Sequence, residues 1–542
     1  MTTKKKTFCT ICTAFCGFEA HVADNVITDM RPDPDHPMSR GFSCTKGRQF
    51  HHLLAAQNRM IYSMARRDGD FVRTEKSVVL DEIAERLDTV RREHGPTAIA
   101  MYCGNGVSFK TATMPAAHAF MRGIGSHHIY SAVTIDQPAK IIAVGRAGLW
   151  GGGVHDFESS GVAMMIGNNV VVSGLHVPGA APGYRPAAIK EAKQRGLKLI
   201  VVDPRRTATA NLADLHLQIR PGEDATLLAG VFNLIVDTKR YDRHFCDEFV
   251  SGIDELRAAL RPFTLDYVVR RTGLDAADIE RAVDLFTAVE RGTVSSATGP
   301  DMGPHGNLAE HLIYAINVVC GRFNRAGEVN ENLGVLMADL PSVAAVVPRG
   351  FMPDHINPDA NTKRARPSGA SQLFQEMPTS TLADEILTPG EGQIRALIVL
   401  GGSPLTSWPD RAKTARALQS LDTLVCVEVR ETDTVALADY FLPASYGLEH
   451  PELNGFNDFL YNKPFVQFAE PVVDPPGEAS EEWIYLAALA KRLGTSMHMR
   501  GGELDLDDLP SPTEFIGMVY PDGSTRVPLA EMMAHEGGKV FE

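Results

Sequence analysis

The stretch Phe8-Cys9-Thr10-Ile11-Cys12-Thr13-Ala14-Phe15-Cys16-Gly17 is completed, farther on, by Ser43-Cys44-Thr45-Lys46-Gly47, and the two together spell C-x2-C-x3-C-x27-C. Three thiolates in one tight loop and a fourth returning from a distance suit a cubane 4Fe-4S cluster, because the loop wraps three corners and the later cysteine closes the fourth. A four-cysteine zinc site is the main rival. Zinc ribbons usually join two separate C-x2-C knuckles, and here the second knuckle is missing. A disulfide pair fits less well, since nothing marks the chain as secreted. Cys103, Cys246, Cys320 and Cys426 are scattered singly and read as small buried hydrophobes.

Composition bounds what the cysteines can serve. With 542 residues, 44% of them hydrophobic and 22% charged, the chain can build three or four domains of ordinary globular make-up. A net charge of -14 opposes a nucleic-acid partner, which would need a basic stripe. The first residues carry positive charge without an apolar h-region, and no apolar run reaches the length of a membrane span. The expectation is a soluble, cytoplasmic protein.

Outward from the cysteines the chain alternates helix and strand. Leu80, Ile83, Leu87 and Val90 predict a helix over residues 77–94, stopped by Gly95-Pro96. Residues 98–102 read as a buried strand ending at Gly104-Asn105-Gly106. A second strand, 162–166, runs into Gly167-Asn168-Asn169; a helix over 186–195 follows, then a strand over 199–202 tipped by Asp203-Pro204-Arg205-Arg206-Thr207. Such βαβ order predicts a parallel sheet with ligands at the carboxyl ends of its strands. Neither tip is a G-x-G-x-x-G fingerprint, so a plain nicotinamide site is not supported. After a proline-rich excursion over 341–380, read as a surface segment or lid, the pattern returns. A strand over 396–400 ends in Gly401-Gly402-Ser403, and a strand from 424 ends in Glu428 and Thr432. The same two devices thus occur twice, a long-period internal repeat.

Cluster loop, Cys44-Thr45-Lys46-Gly47 and two α/β halves resemble the molybdopterin-dependent oxidoreductases of the dimethyl sulfoxide reductase and formate dehydrogenase family, from Cys9 to about Gly494. Gly167-Asn168, Asp203-Pro204-Arg205, Gly222-Glu223-Asp224-Ala225, residues 401–407 and the run 434–449 carry the likeness. The resemblance implies an α/β fold: an iron–sulfur domain over 1–62, a discontinuous α/β domain over 63–130 and 331–494, a related one over 131–330, and a tail over 495–542. It further implies molybdenum or tungsten held by two pterin guanine dinucleotides. Asp203 and Glu428 would bind guanine or ribose edges. Gly167, Asn168, Gly401, Gly402 and Ser403 would hold diphosphates, with Arg205, Thr207, Gly222, Asp224 and Thr432 beside them. Lys46 matches the family's lysine between cluster and pterin, where a cation complements both.

Two features depart from the family pattern. The loop 127–137, where the metal ligand is expected, contains no cysteine; Ser131, Thr134 and Asp136 are the oxygen candidates, and Asp136 is favoured because a carboxylate is already ionised at neutral pH. His128, His305 and Arg322 are offered as pocket residues by the same likeness. The tail 495–542 is too short for the family's β-rich closing domain, so a separate subunit supplying it is expected, along with a redox partner protein. The expected activity is two-electron oxidation or reduction of a small molecule, with electrons relayed through the cluster. Formate dehydrogenase proper, a hydratase and a metal-free electron-transfer or scaffold subunit are the alternatives.

Overall fold

The computed structural model describes residues 2–173, 185–328, 334–336, 344–346, 363–373, 375–455, 458 and 463–541. Half of the excursion expected over 341–380 lies outside them.

The chain opens on an antiparallel sheet of β1 (Thr3–Phe8), β2 (Gly17–Ala23) and β3 (Val26–Pro32). Phe8 pairs with Gly17, so the loop between β1 and β2 begins at Cys9 and ends at Cys16. A hydrogen bond from Cys9 N to Cys16 O (3.0 Å) closes the loop, and Phe15 N donates to Cys12 O (3.2 Å) inside it. Cys44 caps the short helix Thr45–Arg48. A Cβ at Gly47 in that helix would stand 3.1 Å from the Phe18 ring and 3.6 Å from Cys9 Sγ, so glycine lets the helix lie against the loop.

A seven-stranded sheet follows. Its edge is a hairpin, β4 (Met64–Arg67) and β5 (Asp70–Arg73), and its parallel body is β6 (Ile99–Cys103) and β7 (Ile129–Ser131). The chain then leaves to build a four-stranded parallel sheet of β8 (Val162–Ile166), β9 (Lys198–Val202), β10 (Leu215–Leu217) and β11 (Gly292–Ser296). It returns to the first sheet with β12 (Ala396–Leu400), β13 (Thr423–Glu428) and β14 (Tyr440–Pro443). The orders are β5-β4-β14-β13-β12-β6-β7 and β10-β9-β8-β11. Ile99, Met101 and Cys103 of β6 pack on one face while Ala100 and Tyr102 pack on the other. Val162, Met164 and Ile166 of β8 divide from Ala163 and Met165 in the same way. Burial on both faces is why these strands read as unbroken apolar runs.

The covering helices follow from apolar spacing. Lys76–His94 buries Val79, Leu80, Ile83, Ala84, Leu87 and Val90, and stops at Gly95 (φ +83°) before Pro96. Glu482–Leu493 covers the same face, its Trp483 stacked on Phe515 (centroids 4.0 Å apart). Phe515 belongs to the helix Pro512–Val519, started by a Ser511/Glu514 capping box. The tail beyond is also packed: Lys539–Val540 pairs with Phe465–Val466, and Glu536 accepts from Lys6 N (3.2 Å), fastening the N-terminal sheet. Among the described residues no helix is long and apolar enough to cross a membrane.

Candidate functional site: a four-cysteine cavity beside two related ligand edges

Cys9, Cys12, Cys16 and Cys44 line one cavity of about 50 Å³ together with Phe42, Lys46, Gly47 and the helical turn Val170–Ser173. That is several times the roughly 10–15 Å³ one water needs. No three Cys, His, Asp or Glu side chains among the described residues converge as a single-ion site. A cavity of this size among four thiols has room for a cubane, whereas a zinc ion draws its sulfurs to about 2.3 Å from one centre. Burial pushes the Cys9 thiol up to about 12, with Cys12 and Cys44 adding to the rise and Lys46 opposing it. A cluster that takes Cys9 as thiolate therefore displaces a tightly held proton.

The turn Val170–Ser173 follows Gly167-Asn168-Asn169 at the carboxyl edge of the four-stranded sheet, so Lys46, the cysteines and that turn line the same cavity. The two sheets repeat the edge residue for residue. Gly167 after β8 and Gly401 after β12 have φ +54° and +53°. A Cβ on Gly167 would fall 2.8 Å from Gly299 Cα, and one on Gly104 only 2.4 Å from Gly401 O and Gly402 Cα. Each pair joins the loops of two adjacent strands where strand order reverses, the place where open parallel sheets take ligands. Gly167 N donates to Val202 O (2.8 Å) and Gly401 N to Val427 O (2.9 Å).

At the tips of β9 and β13 stand Asp203 and Glu428. Asp203 is buried and accepts from Arg205 N (2.8 Å); Glu428 accepts from Val429 N (2.7 Å), and burial pushes its carboxyl up to about 7. Thr207 is buried and Arg205 exposed. Asp224 joins this edge: burial and then the charge of Asp203 raise its carboxyl. Gly222, at φ +86°, sits against Pro304, the neighbour of His305. In the other sheet Ser403 shares a hydrogen bond with Thr434 (3.1 Å), and Val435 N donates to the Thr432 hydroxyl (3.2 Å). Bare backbone and acids suited to N–H or hydroxyl donors make each edge a place for a polar, phosphate-bearing ligand.

Loop 131–137 bridges the two edges. Its start is the carboxyl end of β7, and beyond it Lys140 donates to Ala297 O (2.9 Å) just past β11. Ser131 donates to Glu376 and accepts from Val133 N (3.0 Å); Thr134 donates to Thr379 (2.9 Å) and Met377 O (3.3 Å). Asp136 is exposed, with Gln137 Nε2 on its carboxylate (3.2 Å). His305 is exposed and caps the helix Gly306–Val319. Two expectations need correction. His128 precedes β7, roughly 10 Å of strand from the ligand edge, where burial pushes its imidazole down to about 3. Arg322 is buried against Phe286, with its guanidinium donating to the carbonyls of Phe286, Val289 and Glu290 at a helix end. Neither reaches the loop cluster.

Sequence reasoning passed over further members of the repeat. Asp214 accepts from Leu199 N and Asp439 from Leu424 N, both at 2.8 Å. The octets 207–214 (TATANLAD) and 432–439 (TDTVALAD) carry the signal, visible once the two halves are aligned.

Comparison with known proteins agrees with this geometry. The family described as molybdopterin oxidoreductase matches residues 35–492, and the molybdopterin oxidoreductase Fe4S4 domain matches residues 2–55. The F420-dependent formate dehydrogenase subunit alpha of Methanocaldococcus jannaschii is 27% identical over 502 residues, 90% of this chain and 70% of that protein. Acetylene hydratase of Syntrophotalea acetylenica is 27% identical over 537 residues, 92% of this chain and 70% of its own. Among solved structures, acetylene hydratase from Pelobacter acetylenicus superposes with a TM-score of 0.73 at 25% identity, covering 90% of this chain and 69% of that one. With four thiols in one cavity, two repeated ligand edges and family matches spanning both, the chain belongs to the molybdopterin oxidoreductase family and carries its Fe4S4 domain at the N-terminal end.

Proposed function

We propose that the chain is a two-electron oxidoreductase whose molybdenum or tungsten is held by two pterin guanine dinucleotides, one along each sheet edge, with electrons passing singly through a 4Fe-4S cluster on Cys9, Cys12, Cys16 and Cys44. When bound, the metal supplies the two-electron chemistry. Asp203 and Glu428 read the guanine or ribose edges. Gly167, Asn168, Gly401, Gly402 and Ser403 seat the diphosphates, flanked by Arg205, Thr207, Gly222, Asp224 and Thr432. Asp136 is the favoured protein ligand, because Ser131 and Thr134 spend their hydroxyls on residues 376–379. His305 rims the same opening. The observation that carries this reading is the single cavity holding four cysteines, Lys46 and the turn after Gly167.

Lys46→Met tests it. Iron content should stay at the wild-type level while turnover with a one-electron dye falls about tenfold to a hundredfold, the rate equivalent of roughly 1.5–3 kcal/mol for a lost charge-assisted contact. Unchanged turnover would remove Lys46 from the electron path. Formate dehydrogenase proper draws support from the relatives named for it and is opposed by the absence of cysteine from residues 127–137. A panel of formate, nitrate and acetylene separates the substrate classes. The name "subunit alpha" among relatives supports assembly with a redox partner, which co-purification tests.

A further inference from the structure

A dense layer of buried polar side chains lies directly behind the cysteine loop. Lys110 Nζ donates to Glu482 Oε1 (2.7 Å) and Ser445 O (2.7 Å). Thr113 donates to the other oxygen of Glu482 (2.9 Å). His450 is held at both nitrogens, Nδ1 against Ser445 Oγ (2.9 Å) and Nε2 against Glu452 Oε1 (2.8 Å). Glu452 accepts from Thr111 N (2.9 Å) and Thr111 Oγ1 (2.7 Å) through its second oxygen. Glu481 is 5% exposed and faces His450, Glu452 and Lys110, with the Trp483 indole beside its carboxyl. Glu428 lies within reach of the Lys110 and Glu482 charges at the ligand edge.

The charges in this layer do not balance. Glu428, Glu452, Glu481 and Glu482 face Lys110, His450 and, beside Glu428, Arg430. Even with all three cations charged, full ionisation leaves one negative charge in the interior, which burial penalises heavily. The layer must therefore hold at least one more proton than its exposed counterparts would at neutral pH. Burial, reinforced by the charge of Glu452, raises the Glu481 carboxyl; for His450 burial alone would lower the imidazole, but Glu481 and Glu452 outweigh it and Lys110 only partly opposes them.

Chain neighbours of this set touch the cysteine loop at two points. Phe109, the neighbour of Lys110, meets Phe15 of the cysteine loop edge-on (6.2 Å). Thr10, between Cys9 and Cys12, lies against Gly447, where a Cβ would stand 2.5 Å from its hydroxyl. Gly447 is two residues from Ser445. A charge added on the cysteine side is thus felt through protein of low dielectric, not through water.

We infer that His450, Glu452 and Glu481 form a redox-linked proton site, taking up a proton from solvent when the four-cysteine site gains an electron. The step forms one O–H or N–H bond within the set and breaks none in the protein; the electron comes from the substrate in turnover or from dithionite in a titration. The inference rests on the cluster reading, and it makes cluster reduction dependent on pH.

The test is an EPR-monitored redox titration of the whole anaerobic protein at several values between about pH 6 and 9, a range that brackets an imidazole and a raised carboxyl. In the wild type the midpoint potential should fall as pH rises, by up to about 59 mV per unit, the value for one proton per electron. Glu481→Gln, which keeps the shape and removes the titration, should flatten the dependence, as should His450→Gln. A merely structural effect would move the potential without removing its slope. A wild-type potential independent of pH overturns the inference, as does a slope unchanged in both variants; if one variant fails to fold, the other decides. Absence of any reduced-cluster signal in the wild type would instead defeat the cluster reading on which the inference stands.

Discussion

At the scale of single residues, the tie between the N-terminal region and the seven-stranded sheet rests on Arg59 and Glu449. The guanidinium grips both carboxylate oxygens at 2.6 Å, with 4% and 2% of the two side chains exposed, and lies 4.9 Å from the Tyr446 ring centroid. Arg59→Leu leaves a buried carboxylate uncompensated and should cost about 3–5 kcal/mol in a denaturant titration. A second prediction concerns acid. Burial holds His36 and His155 down at about 4, and each accepts a backbone N–H on Nδ1, from Ser39 (3.0 Å) and Gly292 (3.2 Å). In the unfolded chain they titrate near 6.5, so between about 6.5 and 4 the unfolded state binds more protons. Stability should therefore fall as pH drops through that window, by about 3 kcal/mol at most for His36, and His36→Gln should reduce the slope. The cysteines and Lys46 were legible because their spacing is local and their chemistry specific. The Lys110–Glu482 and Thr111–Glu452 contacts were not, since they join residues more than 300 apart in sequence. His128 was offered by likeness alone, and the strand that separates it from the ligand edge, Ile129–Ser131, is too short to show a period in the sequence.

At the scale of elements, each strand-end glycine carries a demand on its whole edge. Gly167→Ala and Gly401→Ala put a Cβ at positive φ within 2.7 Å of Pro300 and Val107 respectively. Each should cost about 1–3 kcal/mol and reduce pterin content, measured by thermal unfolding together with cofactor extraction. Equal loss from both substitutions is expected if the edges do equivalent work; loss of pterin from one alone would mean that only one edge holds it. The βαβ order and the repeated glycine tips were readable from the sequence, since strands buried on both faces leave unbroken apolar runs. The family likeness put β6 and β12 in one discontinuous domain, but their pairing was not readable from the residues, because the chain builds an entire second sheet between them.

At the scale of the molecule, the cysteine loops of the N-terminal region and the turn that follows β8 of the four-stranded sheet meet around one cavity. The central claim is that this cavity binds iron–sulfur and the edges beside it bind molybdopterin. Metal analysis of the chain isolated without oxygen, together with its Cys12→Ser variant, tests both halves. Roughly four irons with molybdenum or tungsten are expected in the wild type, and loss of iron in the variant. One zinc per chain with neither iron nor a pterin-bound metal would contradict it.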